Sequence, residues 1–186
     1  MKFLSGLVTG VTLLALLLLA PVLWYYLPSG KKIYISGEDV KRMDTKIVDG
    51  KVQGHDVRFI FAKDFKTGEP VVFRNEDTAW GFPFYFKFDS ADLAAKAADL
   101  AKSPQVVVLA KYYGMRSQML ELYPNVTSLE VVTAGYEYVP VASMIVVSLV
   151  IALWLYVFFK YRKFKRWLQS KLDERAGRLA RKAQQA

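Results

Sequence analysis

The chain has 186 residues, one histidine, no cysteine and a formal net charge of +9. The missing cysteine excludes disulfides, thiol catalysis and Cys-type zinc sites. Fifteen Lys/Arg balance fifteen Asp/Glu between Leu27 and Val139, whereas ten Lys/Arg meet two acids from Lys160 to Ala186. The excess charge therefore lies in the tail, and the domain-wide basic face of a nucleic-acid binder is missing.

Residues 1–27 contain an uncharged run, Phe3–Leu27. It exceeds the roughly 20 apolar residues that cross a hydrocarbon core. A cleaved signal peptide needs a short apolar core and a small-x-small site. Here Ala20 precedes Pro21 and position 18 is leucine, so an uncleaved anchor is expected. Trp24, Tyr25 and Tyr26 suit its outer interface.

After the linker-like PSG, residues 28–138 read as a folded domain, large enough to bury a core unaided. KIYIS reads as a short strand and the polar Asp44–Asp56 as a loop. Val57–Ala62 and Val71–Arg74 flank the turn residues KTGEP and predict a hairpin. In Asn75-Glu76-Asp77 the two carboxylates are chain neighbours, which point to opposite faces when extended. A turn with a cap and an Arg74 ion pair is the plainer reading than an acid/base pair.

Trp80–Asp89 reads WGFPFYFKFD, with aromatic residues at Trp80, Phe82, Phe84, Phe86 and Phe88. This period of two predicts a strand with one buried, aromatic face, on an edge or bulged at Pro83. The alternative is an uncovered row touching lipid headgroups or a partner. Ser90–Lys102 carries helix start and stop signals before Pro104, with an alanine-rich stripe able to cover the aromatic face. Gln105–Tyr113 predicts a strand, MRSQMLELYP a short helix and Val126–Thr133 a further strand. The expected fold is α+β, a mixed or antiparallel sheet of five to six strands with one or two helices on one face.

A second uncharged run, Val139–Phe159, ends at Lys160. Basic residues mark the cytoplasmic side of a span. Lys160, Arg162, Lys163, Lys165 and Arg166 thus place the tail inside, and two spans place the N-terminus inside with residues 28–138 outside. Gly6 and Gly10 form a GxxxG, and Ser148 and Ala152 a small-xxx-small, at matching depth. They predict packing between the spans, although small residues are common in spans generally. Neither span holds an ionisable group, which argues against a channel or proton relay. Residues 160–186 predict a helix with Phe164, Trp167, Leu168, Leu172 and Leu179 on one side. It either lies on anionic lipid or only fixes topology.

Signals for chemistry are few. His55 has no partner for a metal site and reads as a solvated turn residue. No GxSxG elbow, calcium loop or phosphate loop is present, and no cofactor is expected. Asn125-Val126-Thr127 fits a glycosylation acceptor only weakly.

The segments VKRMD (Val40–Asp44), DVRFI (Asp56–Ile60), FRNEDTAWGFPFYFKFDSADL (Phe73–Leu93) and KYYGMRSQMLELYPNVTSL (Lys111–Leu129), between two apolar runs, resemble the bacterial membrane family catalogued as domain of unknown function 1523. The resemblance implies a two-span envelope protein of about this length; in a bacterium the outer side given by the charge rule is the periplasm, which puts residues 28–138 there and both termini in the cytoplasm. The resemblance brings no activity or site residues. The expected function is a binding or accessory module for an envelope partner or membrane complex, with the bilayer as a further partner and nucleic acid disfavoured. Trp80, Tyr85, Asp77 and Glu76 form the candidate interaction surface. The alternatives are a membrane-active regulator, such as an exclusion or envelope-stress protein, and an envelope hydrolase using Asp77, Glu76 or His55.

Overall fold

The computed structural model describes residues 15, 17–48 and 51–184. It divides into two units, Met1–Pro140 and Val141–Ala186.

The first unit contains an apolar helix, α1 (Leu17–Tyr26). Five strands follow: β1 (Ser29–Val48), β2 (Lys51–Asp64), β3 (Pro70–Asn75), β4 (Val108–Tyr113) and β5 (Asn125–Val131), with helix α2 (Ser90–Ala101) between β3 and β4. They close into a barrel in the order β1-β2-β3-β5-β4. β1 pairs antiparallel with both β2 and β4, and β3 meets β5 in parallel at Arg74↔Asn125. This order, with a helix between β3 and β4, is that of a five-stranded Greek-key barrel of the OB type. The α+β class and strand number agree with the sequence; the sheet is in addition closed, because Ser29–Ile33 pairs with Val108–Tyr112. PSG is no linker, because Ser29 and Gly30 already belong to that ladder.

The barrel is filled by alternate residues, Ile33 and Ile35, Ile60 and Ala62, Val108 and Ala110, with Phe73 of β3, and by Val126 and Leu129 on either side of a register shift in the β4–β5 ladder. Leu93 and Ala97 of α2 complete the cluster. The helix thus covers the barrel core, not the aromatic row.

Three local expectations are corrected. Asp44–Asp56 is not a loop, since β1 and β2 run on as a long hairpin with Asp44 opposite Gly54. MRSQMLELYP is not a helix but turns around a Ser117↔Leu122 bridge, with Glu121 at positive φ. Trp80–Asp89 is not a strand: Ala79 and Phe86 have φ of 46° and 50°, left-handed values that a pleated strand excludes.

The second unit is one helix, α3 (Val141–Gln184). Its Val141–Arg178 portion is long and apolar enough to cross a membrane, with mean hydropathy 2.5 over its most apolar window. It is the one such helix among the described residues; α1 as described is shorter than a crossing. The tail continues the same helix, and Arg162 lies over the Phe158 ring.

Candidate functional site

The site forms where α1 meets the barrel. The α1 carbonyls that have no helical partner are met by the domain. The Gly114 N–H donates to the Tyr25 carbonyl at 2.7 Å, and the Tyr85 hydroxyl to the Tyr26 carbonyl at 2.6 Å. Gly114 has φ 89°, and a Cβ there would lie 3.5 Å from the Tyr25 ring. The α1 terminus is therefore part of the folded unit.

Residues 76–89 connect β3 to α2 as a loop held by its own bonds. The Ala79 N–H donates to the Lys87 carbonyl at 3.0 Å, and the Lys87 N–H to Thr78 Oγ1 at 3.1 Å. At the loop base Glu76 pairs with Arg74. Asp77 accepts from the Ser90 N–H at 2.9 Å and from its hydroxyl at 2.7 Å. It thereby caps α2 from a distance, satisfying a donor that the helix itself leaves open. Turn, cap and ion pair are the arrangement the sequence favoured at Asn75-Glu76-Asp77.

The alternation in WGFPFYFKFD survives, but its sense is inverted. Tyr85 and Lys87 face inwards. The Tyr85 ring stacks on Tyr113 with centroids 4.6 Å apart and planes 8° apart. Lys87 is 5% exposed, and its ammonium donates to Asn75 Oδ1 and, at 2.7 Å, to the Val126 carbonyl. Burial pulls its pKa down to about 8, against the opposing pull of Asp89, Asp77 and Glu76. Burial likewise pushes the Tyr85 and Tyr113 phenols up. Asn125 completes the floor: it accepts from the Glu76 N–H and donates to the Glu76 carbonyl and the Tyr113 hydroxyl. So placed, Asn125 is a buried bracket, not an exposed acceptor for a glycan.

Trp80, Phe82, Phe84, Phe86 and Phe88 face outwards, each 53–77% exposed. They touch one another: Trp80 meets Phe86 and Phe88 at 5.6 and 5.5 Å, and Phe84 meets Phe82 and Phe86 at 5.7 and 6.3 Å. The expectation of a buried aromatic face is thus overturned. The barrel core is already full, and Lys87 finds two acceptors that make its burial tolerable. Isolated exposed apolar residues are ordinary on proteins, whereas a contiguous apolar patch is uncommon and calls for an explanation.

Two cavities flank this region. One, about 740 Å³, is lined by Val40, Asp56, Arg58, Asn75, Glu76, Asp77 and Ser90. The other, about 530 Å³, lies under residues 134–138 and includes Lys31, Lys32, Asp64 and Lys66. In it the Asp64 carboxylate takes Lys31 at 2.6 Å and the N–H groups of Lys66 and Thr67 at 2.6 and 3.0 Å. The Lys31 bond, helped by those two N–H groups against the effect of burial, holds its pKa below the usual carboxylate value.

Of the candidate interaction residues, Trp80 is the most exposed of the patch, Tyr85 is tied to Tyr26, and Glu76 and Asp77 line the larger cavity with their carboxylates already engaged. His55 belongs to β2 opposite Met43 and precedes Asp56, which lines the larger cavity with Glu76 and Asp77. Ser148 and Ala152 lie exposed on α3. Gly6 and Gly10 lie outside the described residues. Lys160, Arg162, Lys163, Lys165 and Arg166 all lie on α3. No group of three metal-ligating side chains forms among the described residues. The sequence reading missed Lys87 and Asn125. The sole signal for Lys87 was a lysine inside an alternating aromatic run.

Comparison with known proteins places these observations. The family model described as "Protein of unknown function (DUF1523)" matches residues 5–167. An uncharacterized protein of Haemophilus influenzae is 41% identical over 115 residues. That segment is 59% of this chain and 65% of the relative, so the match covers just under two thirds of the relative's length. No solved structure matches.

Proposed function

The chain belongs to the DUF1523 family of proteins of unknown function, and on that premise we propose that it is a two-span inner-membrane protein whose extracytoplasmic barrel, residues 28–138, is a binding or accessory module for an envelope partner or membrane complex. In this reading Phe3–Leu27 and Val139–Phe159 cross the bilayer and both termini are cytoplasmic, as the basic residues after Val139–Phe159 argue. The observation that carries the proposal is the joint at α1. The bonds of Gly114 and Tyr85 to the Tyr25 and Tyr26 carbonyls fix the barrel to the end of an apolar helix. A module fastened in this way presents one set of surfaces at a set height above the membrane.

The partner surface is the cavity bordered by Asp56, Arg58, Glu76 and Asp77 on the β2–β3 side. Ligands of OB-type barrels use that side, a fold-level analogy only. The hydrolase reading has less support. Asp77 spends both oxygens on Ser90 and Glu76 is paired with Arg74, so neither carboxylate stands ready as acid or base.

Isolation of the tagged full-length protein from native membranes in mild detergent is expected to recover a partner, and the double charge reversal Asp56→Lys with Arg58→Glu to lose it. Recovery of the chain alone under several detergents refutes the module reading. A reporter active only in the periplasm, fused after Ala186, is expected to be silent.

A further inference from the structure

We propose that the aromatic face of residues 80–88 is a lipid-seating surface, lying in the outer interfacial layer of the bilayer and holding the barrel down onto the membrane. The inference rests on the reading of α1 as the outer end of a span, and three further observations carry it.

First, the face continues the aromatic end of α1. The Phe82 ring packs edge-on against Tyr26 at 4.6 Å, and β1 starts at Ser29, three residues after Tyr26. Trp24 on the same helix is exposed. Aromatic rings at the end of an apolar helix sit at headgroup level, and a ring in contact with Tyr26 shares that depth. The β4–β5 connection starts at Gly114 beside the Tyr25 ring of the same helix.

Second, the chemistry of the face suits lipid better than protein. The charged group within it, Lys87, points inwards and is consumed by Asn75 and Val126. The outward side is four phenyl rings and one indole, whose N–H is the kind of polar handle that belongs in a headgroup layer. A protein interface of similar size needs about one hydrogen bond per 100–200 Å², and the phenyl rings supply no donors or acceptors for it.

Third, the face is preorganised. The bonds between Thr78–Ala79 and Lys87 and the stack of Tyr85 on Tyr113 keep the rings outward without the membrane's help. Tyr138 lies against Gly30, at the start of β1, two residues before the unit ends at Pro140.

The absence of cysteine makes any introduced thiol unique. Full-length Phe84→Cys, Phe88→Cys, Lys96→Cys and Leu18→Cys, each carrying a nitroxide, are reconstituted into phosphatidylethanolamine–phosphatidylglycerol vesicles. Collision rates are then measured with oxygen, which concentrates in lipid, and with a water-soluble nickel chelate. Lys96, exposed on α2, is the aqueous reference, and Leu18 reports whether α1 is in the bilayer. For labels at 84 and 88 the expected result is nickel access reduced at least about fivefold below that at Lys96, with oxygen access retained, as for groups seated some 5–10 Å into the interface. Nickel access equal to that at Lys96, with Leu18 shielded, overturns the seating while leaving the span intact. Loss of both nickel and oxygen access also overturns it, in favour of a protein cover. Nickel access at Leu18 itself removes the span and the proposal with it.

Discussion

Lys87 allows a quantitative test of the loop. Its ammonium is buried, and its pKa falls from the ordinary 10.5 to about 8. Folding must then either bury a charge or release a proton. At 1.36 kcal/mol per pKa unit, the charged form costs the native state about 3 kcal/mol relative to the unfolded chain. The sign follows from proton counts. Between pH 8 and 10.5 the unfolded chain holds a proton on Lys87 that the folded chain has lost, so stability rises with pH across that window. From pH 8 to 9.5 the gain is roughly 2 kcal/mol. Above pH 10 the raised phenols of Tyr85 and Tyr113 act in the opposite sense, because the unfolded tyrosines ionise first, so the measurement stops at pH 9.5. Equilibrium unfolding of the full-length protein in detergent, followed by near-ultraviolet circular dichroism, supplies the stabilities. Lys87→Met removes the titration and is expected to flatten the curve. At pH 7 its net effect is small, within about 2 kcal/mol, because relief of the buried charge offsets two acceptors left without a donor. The pH slope is therefore the diagnostic. Equal slopes for wild type and Lys87→Met between pH 8 and 9.5 would refute the burial of this ammonium, and with it the inverted face.

Three further outcomes are expected. Asp77→Ala removes both bonds to Ser90, frays the first turn of α2 and lowers stability by about 1 kcal/mol, with Asp77→Asn recovering part of the loss in the same thermal melt. Gly30→Ala places a Cβ 2.5 Å from Tyr138 Cδ1; overpacking of that kind costs roughly 1–3 kcal/mol, and limited proteolysis should cut residues 132–140 faster. Asp64→Asn loses the Lys31 ion pair; because the native carboxyl titrates below its unfolded value, wild-type stability contributed by this group is present above pH 4 and fades as pH falls through the folded value. The variant's acid unfolding curve should lack that component.

The elements legible in the sequence are those whose signal is local. The β2–β3 hairpin announced itself through Lys66–Pro70, α2 through its terminal residues and Pro104, and β4 and β5 through apolar runs. The extension of β1 and β2 beyond Val40 was not legible, because those arms depend on backbone pairing to each other, and the sequence there, polar and broken by Gly50 and Gly54, shows no apolar alternation to mark them; Val40 itself is exposed. Closure was not legible either, since the Ser29–Ile33 ladder with Val108–Tyr112 joins residues some eighty positions apart. At the candidate site, the cap and ion pair of residues 74–77 followed from turn chemistry. The network of Lys87, Asn75 and Asn125 did not, because each is an ordinary surface residue until a second element supplies its partners.

The inverted loop shows where a period of two stops being informative. Alternation separates two faces but does not say which is inside; that depends on which face finds partners. The inward face has them: the Tyr26 carbonyl for Tyr85, and Asn75 and the Val126 carbonyl for Lys87. The outward face pays in water for five exposed rings, each forfeiting up to roughly 1.5–3 kcal/mol of burial. A loop free to turn over would recover that energy at the expense of a lysine and a tyrosine that are easily hydrated. The bonds of Thr78, Ala79 and Asp77 prevent the turn. A membrane layer against the rings removes the reason for it, so the conformation that is costly in water becomes the favourable one beside the bilayer that α1 is proposed to cross.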